Sequence, residues 1–430
     1  MSDALPLANP PDLDQYKTLA KELQRACRSG KPGAIRDWAA AWLTRKRDAD
    51  RGDIDRVERT WNNLVKSKPS LARCALADAQ FFVARVHGFP SWPAFAKHIE
   101  AMARKNSGTA RFESAVDAIV AGDAVTLAGL LGEHPGLVHE RSTRDHHATL
   151  LHYVSANGVE DFRQRTPKNI VDIARMLLDA GADVNAGSNS YGNRDTTFML
   201  TATSCHPADA GVQIPLLQLL LDRGATIDPG DVIACLHNGR GAAALFCARQ
   251  GVPLDLEGAA GVGALDVVRT FLRGDGTLTN GATDKQMIDG FAWAAEFGHT
   301  PVVHYMLDAG MPLDARLRHD GQTALHWAGL DGRADTVRLL VVRGAPINQV
   351  DLTHGGTPLD WTIYGWGNRG NLSDAEAEAY YDTVKCLVDA GGVLNPNWLD
   401  VSDDAERGRA KRKLEADARM RQALGQLRSR

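Results

Sequence analysis

Apolar residues recur at helical spacing from Leu13 to about Asn106. Tyr16, Leu19, Ala20, Leu23 and Ala26 fall on one face of a first helix, and Trp38, Trp42 and Trp61 punctuate two more. Between Leu76 and Met102 the stripe Ala79, Phe82, Val83 and Val86 runs into Gly88, a helix stop. Ser91 then caps a helix carrying Phe95, Ile99 and Met102. The pattern predicts a helical domain over 13–107 that closes in a helical hairpin. Residues 1–12, with three prolines and little that can pack, are expected to lead in from outside the fold.

Beyond Thr109 the chain repeats. DAGADVNA (179–186) returns as DRGATID (222–228), RQGVPLD (249–255), DAGMPLD (308–314), VRGAPIN (342–348) and DAGGVLN (389–395), each closing a helix with glycine. Thr149-Leu150-Leu151-His152, Thr323-Ala324-Leu325-His326 and Thr357-Pro358-Leu359-Asp360 open repeats, and Gly310 and Gly344 lie 34 residues apart. Thr at the opening can cap a first helix, Pro358 sits where a helix tolerates a missing N–H, and His152 or His326 can tie neighbouring hairpins. A unit of one helix pair and a turn cannot bury its own faces, so stacking supplies the core.

This period and opening resemble the ankyrin-repeat family, which implies an all-α solenoid of helix pairs and short hairpins over 108–396, in about eight units. The middle units are degenerate. Gly258 to Gly263 is expected to replace a first helix, 273–284 to form a loose loop, and the superhelix to bend within 229–284. Segments 159–169 and Gly365 to Ala377 read as insertions. The region 397–430 ends in a basic helix from Asp403, with nine basic residues against three acidic after Asp404. Its docking stripe is thin: Leu414, Ala418, Leu424 and Leu427. The hairpin at 76–102 is similar to an N-terminal segment of bacterial ankyrin-repeat proteins, which implies a bacterial source and a role in capping the first repeat.

Candidate chemistry is sparse. Tyr153, Trp293, Trp327 and Trp361 follow the motif position, the last three at spacings of 34, and read as a ladder half-buried between repeats. Arg144-Asp145-His146-His147 with His152 has metal-ligand residue types, but adjacent histidines diverge and His152 serves the repeat motif. Cys205-His206 and Cys235-x-His237 lack a second half at ligand spacing. Gly258-Ala-Ala-Gly261-Val-Gly263 has the wrong order for a phosphate cradle. For DNA reading, the helix after Ser91 offers only Lys97, His98, Arg104 and Lys105, with Pro93 in the turn that would face the bases.

Composition narrows the picture without naming a function. The 430 residues are 44% hydrophobic and 24% charged, ordinary globular values, and 49 basic against 53 acidic residues give a net charge of -4, so no global field draws nucleic acid or anionic lipid. The aliphatic run Leu216 to Leu221, broken by Gln218, is too short for a membrane span, and no apolar leader opens the chain. Cys27, Cys74, Cys205, Cys235, Cys247 and Cys386 show no paired spacing and are expected to be reduced thiols in a cytoplasmic protein.

The expected activity is therefore noncovalent: a scaffold that binds a protein partner on the concave face, without cofactor, metal, catalytic residues, membrane or nucleic acid. The resemblance places recognition on hairpin tips and the exposed ends of first helices, at Asp145, His146, Asn157, Glu296, Phe297, His319, Asp320, Gln322, Leu330, Asp331, His354 and Tyr364. The competing class is an enzyme or small-molecule binder using His146, Glu296, Asp331 and the Trp327/Trp361 pair in the groove.

Overall fold

A computed structural model describes residues 4–44, 51–104, 106–192, 195–317, 321–370, 372–395, 397–399 and 404–425. The chain forms two compact units, residues 1–227 and 228–430. The architecture is all-α and of ankyrin type, and among the described residues the one named sheet is a pair of two-residue strands.

In the first unit, α1 (Leu13–Arg28), α2 (Ala34–Thr44), α3 (Arg51–Ser67), α4 (Leu76–Val86) and α5 (Trp92–Met102) enclose a core of Leu23, Leu43, Phe82, Val83, Phe89 and Phe95. The predicted hairpin is present: Gly88 takes φ +82 after α4, and Ser91 Oγ accepts from Ala94 N at the start of α5. The lead-in belongs to the fold, against expectation. Leu5 is buried, its N–H donates to Val86 O at 2.8 Å, and its carbonyl bonds His87 Nδ1 at 2.9 Å. One leucine that fills a gap in the bundle outweighs three flanking prolines. The cysteine expectation is corrected as well, because Cys27 and Cys74 form a disulfide with their Cα atoms 5.7 Å apart. Their separation of 47 residues carries no spacing signal, and only the packing of α1 against α4 brings them together.

The same unit continues through α6 (Gly108–Ala121), α7 (Ala124–Glu133), the 3-10 turns Pro135–His139, Leu150–Ser155 and Asp161–Arg163, and α8 (Ile170–Asp179). Strands β1 (Gly187–Ser188) and β2 (Asp195–Thr196) pair antiparallel, and α9 (Thr197–Thr203), α10 (Cys205–Asp209) and α11 (Gln213–Asp222) follow. The Thr149 opening starts a 3-10 turn, yet the motif bonds form as expected. His152 Nδ1 accepts from Thr149 N at 3.1 Å, so the ring proton sits on Nε2, which donates to Asp195 O at 3.2 Å.

The second unit is a run of helix pairs: α12 (Pro229–His237) with α13 (Gly241–Ala248), α14 (Leu256–Gly261) with α15 (Leu265–Phe271), α16 (Asp284–Glu296) with α17 (Thr300–Asp308), α18 (Ala324–Leu330) with α19 (Ala334–Val342), and α20 (Pro358–Asn368) with α21 (Asp374–Asp389). First helices contact first helices along the row from α12 to α20, and second helices pack likewise from α15 to α21. His326 repeats the His152 geometry, with Nδ1 accepting from Thr323 N at 3.0 Å and Nε2 donating to Gly356 O at 3.1 Å.

Two expectations about the degenerate middle are overturned. The run Gly258 to Gly263 does not replace a first helix: Gly258 to Gly261 lie in α14, capped by Asp255 Oδ1, which accepts from Gly258 N at 2.8 Å. Its glycines let neighbouring helices approach. A Cβ on Gly261 would collide with Leu236, and one on Gly290 would lie 2.9 Å from Ala260 Cβ, so close packing offsets poor helix propensity. Nor is 273–284 a loose loop, since Leu272 bridges Leu278 and Thr279 N donates to Phe271 O at 2.8 Å.

The basic terminal helix is divided into α22 (Ala405–Ala416) and α23 (Ala418–Ala423), with Asp417 capping the second. Helix α22 packs on α20 and α23 on α21, the arrangement of one further helix pair. It buries Ala410, Leu414 and Met420; Ala418 of the expected stripe is exposed, Leu424 is half-buried, and Leu427 lies outside the described residues.

Candidate interaction surface

The first helices of the second unit carry an aromatic row. His237 and Trp293 are 5.1 Å apart between ring centroids, Trp293 and Trp327 6.3 Å, Trp327 and Trp361 6.2 Å, and Trp361 and Trp398 6.3 Å. Trp293 is fully buried, whereas Trp327 and Trp361 are half-buried between repeats. Carboxylates fix two of the rings. Trp293 Nε1 donates to Glu257 Oε1 at 3.0 Å, and His237 Nε2 meets the same oxygen at 2.9 Å. Trp361 Nε1 donates to Asp351 Oδ2 at 2.9 Å, and Asp351 also accepts from Thr353 N and Gly356 N. Burial pushes both carboxyls up, but these donors outweigh it and hold Glu257 and Asp351 below the ordinary carboxylate range. The row is thus tied into hairpins and helices, with Trp398 as a rung beyond the repeat motif.

The expected recognition residues scatter between interior and surface. In the first unit, Asp145 pairs with Arg85 at 2.6 Å, and its N–H donates to Gly88 O at 3.0 Å, joining the helical bundle to the repeats. His146 is 4% exposed. Its Nδ1 accepts from Ala148 N at 3.0 Å, and its Nε2 lies 3.6 Å from Glu160. Asn157 donates to Leu200 O at 3.1 Å and Thr203 Oγ1 at 3.0 Å, and accepts from the Tyr191 hydroxyl at 2.6 Å.

In the second unit, Glu296 and Gln322 are buried, which takes both off the surface that the resemblance implies. Phe297 is half-buried over Gly241, where a Cβ would come within 2.6 Å of its ring. Asp331 is clamped by Arg333 at 2.9 Å and by Arg369, and Leu330 O accepts from the Tyr380 hydroxyl at 2.8 Å. Tyr364 lies tilted against Trp361 and edge-on to Trp398, and donates its hydroxyl to Glu406 of α22. The Leu330 side chain is half-buried, and His354 is exposed. His319 and Asp320 lie outside the described residues.

Three exposed apolar residues escaped the sequence reading: Val350 at 46%, Leu352 at 68% and Val393 at 61%. Val350 and Leu352 sit in the turn between α19 and α20, with His354 beside them, and Val393 lies just after α21. The available signal for Val350 and Leu352 was their position between Gly344 and the repeat opening at Thr357, where the 34-residue period leaves no helix to bury them. Among the described residues no group of three His, Cys, Asp or Glu is placed to hold a metal ion, and no helix is long and apolar enough to cross a membrane.

The stacked pairs with Thr-x-x-His openings are the geometry that the repeat family builds, and the comparison with family models agrees. Residues 256–363 match ankyrin repeats in three copies. Two relatives share similarity of limited extent. One is "E3 ubiquitin-protein ligase XB3" of Oryza sativa subsp. japonica, 36% identical over 111 residues, which is 26% of this chain and 24% of that protein. The other is "Putative palmitoyltransferase ZDHHC13" of Danio rerio, 30% identical over 99 residues, 23% of this chain and 15% of that protein. This chain therefore spans about a quarter or less of the relatives it matches.

Proposed function

We propose that this chain is a noncovalent scaffold, not an enzyme, and that it binds a protein partner along the hairpin edge and first-helix face of residues 228–430. The observation that carries this reading is the set of exposed apolar residues Val350 and Leu352, in the turn before α20, and Val393, just after α21. Exposed apolar side chains on rigid turns supply contact area at low ordering cost. Ankyrin repeats support a protein partner as its class. The ligase and transferase activities in the names of the two relatives belong to proteins of which this chain matches only a part, and neither is carried over. The same reading places the protein in a bacterial cytoplasm, supported by the resemblance of its N-terminal hairpin.

Cross-linking capture from source cells identifies the partner, and binding is then measured with purified variants. Leu352→Glu and Val393→Glu are expected to weaken it tenfold or more, whereas Val342→Glu, on the exposed side of the second-helix row, leaves it unchanged. Tip variants that bind like the parent would refute the assignment of this edge.

A further inference from the structure

The Cys27–Cys74 bond closes a loop that contains α2 and α3 in full. The arm also packs into the bundle through Leu43 and Val57 and through rings, with Trp61 5.0 Å from Phe82, Trp42 5.6 Å from His87 and Trp38 6.1 Å from Phe82, and its Arg56 pairs with Asp161 at 3.2 Å. The two cysteines differ in burial: Cys27 is half-buried at the end of α1, while Cys74 is 7% exposed. Cys74 is also gripped without the bond, since its carbonyl accepts from Gln24 Nε2 at 3.2 Å and Arg28 Nε at 3.1 Å. Those contacts keep the cysteines near each other after reduction and favour reclosure. Cys235 and Cys247 make the contrast: both are fully buried and remain thiols.

We propose that Cys27–Cys74 is a reversible redox latch, in which Cys27, the less buried of the two, exchanges with small thiols and disulfides and the bond state sets whether the α2–α3 arm stays closed on α1 and α4. In closure the Cys27 thiolate attacks a sulfur of oxidised glutathione, forming a mixed disulfide and expelling one glutathione thiolate. The Cys74 thiolate then attacks the Cys27 sulfur and expels the second. Two protein thiols are oxidised, one glutathione disulfide is reduced to two thiols, and the two thiol protons end on glutathione. Opening is the reverse, with a dithiol as reductant. The open arm uncovers Trp38, Trp42, Trp61 and Phe82, an aromatic surface that the closed state buries.

The test uses the full chain, equilibrated with oxidised glutathione or with dithiothreitol, alkylated and mapped by mass spectrometry, with amide exchange followed in both states. The bond is expected to form and to be reduced without unfolding the chain. Exchange in α2 and α3 should rise tenfold or more on reduction, while residues 228–430 are unaffected. Cys27→Ser should exchange like the reduced parent in both buffers. The proposal is overturned by thiols that stay free in oxidised glutathione, by a bond reduced only after denaturation, by equal exchange of α2 and α3 in the two states, or by a Cys27→Ser chain as protected as the oxidised parent.

Discussion

Gly367 of α20 meets Ala410 of α22 so closely that a side-chain carbon on the glycine would overlap the alanine. Around this contact Arg407 lies 4.2 Å from the centre of the Trp398 ring and Lys413 4.5 Å from that of Trp366. The basic terminal segment therefore covers the last helix pair, as a capping repeat must. Gly367→Leu is expected to expel α22 at a cost of about 1–3 kcal/mol, the range for overpacking. Denaturation curves and amide exchange across α22 test it; an α22 as protected as in the parent would mean that α20 yields instead.

The two kinds of residue on the first-helix row should separate by stability. Trp293 is fully buried with its indole N–H on Glu257, so Trp293→Ala is expected to cost about 3–5 kcal/mol. Leu330 is half-buried at a helix end, and Leu330→Ala should stay within about 1 kcal/mol of the parent. Urea midpoints for the two variants decide the matter, and similar losses would contradict the division into core and surface.

The periodic features were legible because one chemistry determines each. Thr323 and His326 announce a motif whose capping bonds are local, and the geometry of that cap follows from the letters. Leu5, Cys27 and Cys74 were not legible, since their roles arise from contacts across tens of residues that leave no mark in spacing. The glycine run at Gly258 misled for a physical reason: propensity penalises glycine in a helix, and only the neighbouring Leu236 and Trp293 side chains show why small residues are needed there. Asp331 and Tyr364 were placed on their first helices by position, but Arg369 and Glu406, which engage them, come from an insertion and a terminal segment outside the repeat pattern, and the Asp331 side chain is only 8% exposed.

Stability should fall as the solution is acidified from neutrality. Burial holds His98, His152 and His326 neutral, with pKa values pushed from 6.5 down to about 4. In the unfolded chain they protonate below pH of about 6.5, so between there and about 4 the unfolded state binds more protons. Their contribution is thus fully present above pH 6.5 and is lost toward pH 4, at up to about 1.4 kcal/mol per pH unit for each ring. Chemical denaturation at pH 7.5, 6 and 5 measures the slope. His326→Gln should be less stable than the parent at pH 7.5 yet lose less between pH 7.5 and 5, and an unaltered slope would remove His326 from the account.

A buried ion cluster lies beneath the first repeats. Glu113 accepts from Arg163 at 2.6 Å and Arg144 at 3.1 Å, Arg144 also pairs with Glu160, and all four side chains are more than nine-tenths buried. The pairs link α6, the hairpin at 141–149 and the turn Asp161–Arg163, while His98 of α5 bonds Thr143 at 2.7 Å beside them. The two arginines hold Glu113 and Glu160 as anions despite a burial cost that acts to raise both carboxyls. Removing one partner strands an opposite charge: Arg144→Ala leaves Glu160 with a poorer partner and is expected to cost about 3–5 kcal/mol. Arg163→Ala should cost less, because Arg163 shares part of its charge with the exposed Asp117. A cluster that serves only as filler would instead tolerate Arg144→Met with little loss, so parent-like denaturation of that variant would show that shape, not charge, joins the helical bundle to the first repeat.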